Sequence, residues 1–186
     1  MLLLFLVLTL AYSFSLKQVA LLDVFVIATL FTLRILAGMV LIGQPPSDWL
    51  LMFSVFFFLS LALMKREVEL NVLHQDDKAA SHGRGYTTAD RGFVTSFGTA
   101  SGVASLVIFS LFVSATGASA TNYASPALLW GAMAVLGYWL AHMWLLTTRG
   151  KMNDDPILYA ARDRTSILLG VLTAALAVGA QILRLA

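Results

Sequence analysis

Five stretches of the chain read as almost unbroken apolar runs: Val19 to Ile42, Trp49 to Met64, Gly92 to Thr116, Ser125 to Leu146 and Thr165 to Leu185. A bilayer core asks for about 20 predominantly apolar residues per spanning helix. Each run therefore predicts a transmembrane helix, the second continuing past Met64. The opening run, Met1 to Ala11, is too short to cross. It lacks the basic start and small-residue cleavage site of a signal peptide, and it runs into Tyr12-Ser13-Phe14-Ser15-Leu16-Lys17. It is expected to be the tail of a helix whose beginning lies upstream. The predicted fold is all-α, a polytopic membrane helical bundle of about five full transmembrane helices plus one partial N-terminal helix, with residues 1–186 as one membrane domain.

The links between the runs alternate in charge. Lys17 marks the first, and the second, Gly43 to Asp48, holds Pro45 and Pro46 but no cation. The third, Lys65 to Arg91, carries Lys65, Arg66, Lys78, Arg84 and Arg91. The fourth, Gly117 to Tyr123, is uncharged, and the fifth holds Arg149, Lys151, Arg162 and Arg164. Ten of the 12 cations thus fall on one side. The positive-inside rule makes that side cytoplasmic and leaves the C-terminus outside. Residues 65–91 and 147–164 become the two cytoplasmic loops expected to carry function.

Composition sharpens this reading. The 186 residues are 59% apolar and 12% charged, against about 25% charged in an ordinary globular chain, and the mean hydropathy is +0.84. A soluble domain is excluded. The absence of cysteine removes disulfide frameworks and thiolate chemistry. The net charge of +2 follows from the loop cations and predicts no nucleic-acid partner. His74, His82 and His142 have no metal-ligand spacing, and no phosphate-binding Gly-rich loop or serine elbow occurs. Gly98 and Gly102 form a Gly-xxx-Gly step, which marks close helix packing.

Charges inside the apolar runs need a reason, because each costs at least about 2.5–3.5 kcal/mol at a helix centre. Asp23 and Arg34 occur in one predicted helix and return to nearly the same face after three turns. Both are expected to look into the bundle, too far apart to pair with each other. Arg34 then needs a carboxylate from elsewhere or a bound anion, and guanidinium suits phosphate. Where the second run continues, Lys65, Arg66 and Glu69 share a face, with Glu67 pointing elsewhere and Asp76 two turns on. Two cations beside a carboxylate can hold a phosphate and a divalent metal together; a solvated helix end with cations near the headgroups is the plain alternative. Asp154 and Asp155 are hard oxygen ligands of the kind magnesium takes, or else a turn before Pro156 at a helix start. Arg162, Asp163 and Arg164 suit phosphate contacts or interfacial anchoring.

Taken in order, Tyr12 to Lys17, Asp23, Arg34 with Ala37 and Gly38, Lys65-Arg66 with Glu69, and Asp154-Asp155-Pro156 before Arg162-Asp163-Arg164 resemble the UbiA superfamily of intramembrane prenyltransferases. Within it the pattern looks most like the decaprenyl-phosphate phosphoribosyltransferase branch and bacterial proteins that fuse a haloacid-dehalogenase-type phosphatase to a UbiA-type domain. The resemblance runs over nearly the whole chain and implies the last six of nine helices around a cavity open to cytoplasm and membrane. The family's first Asn and Asp motif would lie upstream, with the missing N-terminal helices. The second motif departs from the usual Asp-xxx-Asp, with Lys65, Arg66 and Glu69 in its place.

The resemblance further implies roles. Glu69, Lys65 and Arg66 would be catalytic. Tyr12, Lys17, Asp23, Arg34, Arg162 and Arg164 would bind substrate, and Glu69, Asp154 and Asp155 would hold Mg2+. The expected protein is a bacterial inner-membrane transferase that displaces pyrophosphate to join a polyprenyl (di)phosphate to a phosphorylated or aromatic acceptor. The alternatives are a phosphoribosyltransferase using phosphoribosyl pyrophosphate, a catalytically silent lipid-binding or scaffold portion of a larger assembly, or a transporter. This segment expressed alone is expected to lack transferase activity.

Overall fold

A computed structural model of the protein describes residues 2–75, 85–118, 123–152 and 155–182. The chain is an all-α polytopic bundle. Its helices are α1 (Leu2–Phe14), α2 (Leu22–Leu41), α3 (Asp48–Gln75), α4 (Arg91–Ala118), α5 (Ala127–Thr148), α6 (Pro156–Arg162) and α7 (Arg164–Ile182), with 3-10 turns at Leu16–Gln18 and Thr88–Asp90. Five of them, α2, α3, α4, α5 and α7, are long and apolar enough to cross a membrane. The protein is a multi-pass membrane protein. The observed ends fall within a few residues of the sequence expectation, apart from the far end of α3.

Helix α3 is the hub, packed against α2, α4, α5 and α6, while α7 packs mainly on α5. At about 1.5 Å per residue, its 28 residues exceed a hydrocarbon core of about 30 Å. The last turns, from Lys65 to Gln75, therefore reach the boundary of the apolar layer and beyond it. The first stretch of what the sequence offered as a cytoplasmic loop is helix, and its charged residues are held at helical angles to one another.

The helix contacts rest on small residues and on internal hydrogen bonds. A Cβ on Gly98 would lie 2.4 Å from the Trp144 ring and 3.0 Å from Leu63 Cβ, and one on Gly102 would lie 3.0 Å from Ser60 Oγ. Helices α3, α4 and α5 approach this closely because glycine leaves room. Ser60 then joins all three: its hydroxyl donates to the Gly98 carbonyl at 2.8 Å and accepts from Trp144 Nε1 at 3.0 Å. Around this joint lie Leu59, Leu63, Met64, Val94 and Met143, all buried.

Candidate functional site

The sequence places Lys65, Arg66, Glu67 and Glu69 on two turns of α3, and their directions decide what each can do. Arg66 points into the bundle and is 1% exposed. Its Nε lies 3.2 Å from Asp23 Oδ2, and its terminal nitrogen donates to Glu69. Asp23, at the start of α2, is fully buried and accepts a hydrogen bond from the Tyr86 hydroxyl at 2.7 Å. Lys65 turns the other way, to Asp155 Oδ2 at 2.6 Å. Asp155 also caps α6, accepting from the Ile157 backbone N–H at 3.0 Å. Glu67 faces α4, where Arg91 donates to it at 3.1 and 3.2 Å, and Arg91 also donates to Asn71. Glu67 is set apart as expected and Arg66 stays with Glu69, whereas Lys65 reaches away from them to Asp155.

Beside Lys65 and Asp155 is a hollow of about 270 Å³, lined by Tyr12, Phe31, Phe58 and Leu61 and rimmed by that ion pair. Tyr12 lies within electrostatic reach of Arg66, Asp23, Lys65 and Glu69. The four groups and the tyrosine therefore form one neighbourhood at the end of α3. Its Lys65, Glu69 and Asp155 are partly open to solvent, and its apolar wall is formed by Ile27, Phe31, Phe58 and Leu61. Burial would raise the Asp155 carboxyl, but the hydrogen bonds from Lys65 and the Ile157 N–H and the Lys65 charge outweigh it and hold the group below its ordinary range.

Other expected site residues lie apart from this hollow. Arg34 does not follow Asp23 into the bundle. It is exposed on α2, and its guanidinium lies over the Phe5 and Phe31 rings at 5.4 and 4.9 Å. The helical spacing was read correctly, but α2 is covered unevenly: α3 and Tyr86 enclose the Asp23 level, whereas at the Arg34 level α1 brings the Phe5 ring. Arg34 remains one turn from Phe31, which does line the hollow. Lys17 sits half-buried in the 3-10 turn after α1. Arg162 and Arg164 line a separate open depression with Tyr159 and Asp163 at the α6–α7 corner. Asp154 and Asp76 lie outside the described residues.

Sequence reasoning missed Tyr86 and the Glu67–Arg91–Asn71 network. Tyr86 had a faint signal, a large aromatic set in a polar Gly-rich link, because such a ring must find a place to bury. It is 3% exposed within the core cluster. Among the described residues no group of three or more acidic, histidine or cysteine side chains gathers to hold a metal.

Two relatives match the chain. It is 48% identical over 170 residues to uncharacterized protein y4nM of Sinorhizobium fredii, a match covering 91% of this chain and 33% of that protein. It is 35% identical over 148 residues to nodulation protein NoeC of Azorhizobium caulinodans, covering 79% of this chain and 48% of the relative. The chain thus spans about a third and about half the length of these curated relatives. No protein-family profile matches it.

Proposed function

We propose that this protein is the membrane portion of a UbiA-type transferase acting on a polyprenyl phosphate or diphosphate, with its charged links cytoplasmic in a bacterial inner membrane and its C-terminus outside. The observation that carries the reading is the neighbourhood at the end of α3. An apolar hollow of about 270 Å³ lies directly beneath Lys65, Asp155 and Tyr12, with Arg66 and Glu69 at hand. A lipid with a phosphate head and a hydrocarbon tail has the same division of character. Such ionisable groups at the edge of an apolar bundle are costly and point to a ligand.

In the proposed reaction a hydroxyl oxygen of the acceptor forms a bond to the activated carbon of a polyprenyl diphosphate as the bond from that carbon to pyrophosphate breaks; the hydroxyl proton passes to water, and the leaving group departs with the bonding electrons. Lys65 would meet its negative charge directly, and the low dielectric of the hollow strengthens that contact. Magnesium needs only one or two carboxylates when phosphates complete its shell. Glu69 and Asp155 fit that requirement, and each already faces a cation. When bound there, the metal would neutralise charge on the departing phosphates.

In a second form of the same chemistry the lipid phosphate attacks phosphoribosyl pyrophosphate and pyrophosphate leaves from the ribose carbon. Lys65, at the edge of the hollow, is the cation placed to meet a phosphate there, with Arg66 buried behind it between Asp23 and Glu69. The name of neither relative specifies a reaction.

The decisive experiment incubates the full-length membrane protein with labelled polyprenyl diphosphate and a panel of hydroxyl acceptors, or with labelled polyprenyl phosphate and phosphoribosyl pyrophosphate, and identifies the lipid formed. A new lipid with release of pyrophosphate is expected. Lipid-phosphate affinity should fall in Lys65→Ala. Unchanged affinity in that variant with the fold retained, or flux of lipid with no product, overturns the proposal.

A further inference from the structure

Tyr86 stands at a crossing of three segments. Its hydroxyl accepts from the Leu21 backbone N–H at 2.8 Å and donates to Asp23 Oδ1 at 2.7 Å. A hydroxyl has one proton to give, and here it goes to Asp23. The other Asp23 oxygen lies 3.2 Å from Arg66 Nε, and Arg66 in turn donates to Glu69. A polar line therefore runs from the turn before α2, through Tyr86, to the end of α3.

We propose that Tyr86 is a positioning residue of the headgroup site, whose hydroxyl holds the Asp23 carboxylate beside Arg66 so that the buried Arg66 keeps Glu69 in place at the edge of the site. The inference rests on the proposed binding of polyprenyl phosphate at this site.

The backbone around the tyrosine is shaped for this contact. Leu21 has φ of 66° and ψ of −44°, a conformation unfavourable for a residue with a Cβ, which persists only where the surroundings fix it. The Tyr86 oxygen helps to fix it by accepting the Leu21 N–H. Gly85 seats the tyrosine: a Cβ there would lie 2.9 Å from the Gln18 carbonyl oxygen and 3.1 Å from the Ala20 nitrogen. Only glycine lets this link rest on the backbone of the α1–α2 turn. Burial, and then the bond to Asp23, push the Tyr86 hydroxyl well above the ordinary tyrosine range, so it keeps its proton and remains a donor.

Arg66 depends on this support. Its guanidinium lies between Asp23, with Nε 3.2 Å from Oδ2, and Glu69, to which a terminal nitrogen donates, so a shift of the Asp23 carboxylate is passed on to Glu69. Without the Tyr86 hydroxyl, Asp23 loses the donor on Oδ1, and Leu21 loses the acceptor for its N–H. The ring itself fills space that phenylalanine fills equally well. Tyr86→Phe therefore removes the hydroxyl and leaves the packing.

The test measures the dissociation constant of polyprenyl phosphate for the full-length protein in lipid nanodiscs, alongside thermal stability, for wild type, Tyr86→Phe, Asp23→Asn and the double variant. Tyr86→Phe should weaken binding by about tenfold, and the same substitution in the Asp23→Asn background should have little further effect. If Asp23→Asn does not fold, Arg66→Lys provides the background, because it keeps the charge and discards the Nε contact. Wild type that binds while Tyr86→Phe binds equally well, even with a lowered Tm, overturns the inference alone. An undiminished Tyr86→Phe effect in either background also overturns it. Wild type that binds no polyprenyl phosphate overturns the underlying reading and the inference with it.

Discussion

Arg66 and Asp23 meet inside the bundle with Arg66 Nε 3.2 Å from Asp23 Oδ2, and neither side chain has appreciable access to solvent. Removing two charges from water costs several kcal/mol each, and their attraction often does no more than offset it. A pair of apolar side chains could hold α2 to α3 equally well. The position of the pair, below Glu69 and close to Tyr12, makes its geometry at the site a better account of its presence than stability.

That argument fixes the outcome of breaking the pair. Arg66→Ala leaves the Asp23 carboxylate buried without its cation and should lower stability by about 3–5 kcal/mol. Replacing both partners together, as Asp23→Leu with Arg66→Met, should recover most of this loss. Thermal unfolding in detergent compares the three proteins. A double variant as unstable as Arg66→Ala would show that the charges hold the fold together.

The Gly98 contact predicts a size limit between α3, α4 and α5. A methyl group would enter the Trp144 ring at 2.4 Å, and the ring has little freedom to retreat because its nitrogen is bonded to Ser60. Gly98→Ala should destabilise by about 1–3 kcal/mol through overpacking. Gly38→Ala, on α2 with nothing within 4 Å of the new Cβ, should gain about 0.5–1 kcal/mol from helix propensity. Unfolding midpoints that moved in the same direction would contradict the packing seen at Gly98.

Much of this organisation was legible in the sequence. Hydropathy located all five long helices because the bilayer sets a minimum apolar length, and that signal survives any packing arrangement. Helical spacing separated Glu67 from Lys65, Arg66 and Glu69, since angles along one helix are fixed by its geometry. The partners were not legible. Nothing in the spacing of Asp23, Tyr86 and Arg66 says that they meet, because their contact depends on how the links fold over the helix ends. Arg34 shows the same limit from the other direction: its face was known relative to Asp23, but the unequal cover over that face was not.

Ser60 predicts the strength of a single polar joint in apolar surroundings. Ser60→Ala removes the acceptor of the buried Trp144 N–H and the donor to the Gly98 carbonyl. The indole donor is then left without this partner, a change that costs about 1–3 kcal/mol. Ser60→Thr keeps the hydroxyl but adds a methyl beside Gly102, where Ser60 Oγ is already within 3.0 Å of a virtual Cβ. Both variants should unfold at lower temperature, and Trp144 emission should shift only in Ser60→Ala. An unshifted spectrum there would mean that the indole nitrogen finds another partner.

The pH response of the Lys65–Asp155 contact follows from the depressed carboxyl. A group whose folded pKa lies below its unfolded one contributes stability above the unfolded value, and that contribution disappears as pH falls through the folded value. For Asp155 the window therefore opens near the ordinary 3.8 and extends downward. Asp155→Asn isolates the charge, because asparagine retains an oxygen to cap α6 at Ile157. The wild type should have the higher Tm at pH 6, with the difference closing as pH falls below about 4. Added salt should also narrow it, since both side chains are partly exposed. A gap that stays constant down to about pH 2 would show that Asp155 acts through its shape and its cap, with no contribution from its charge.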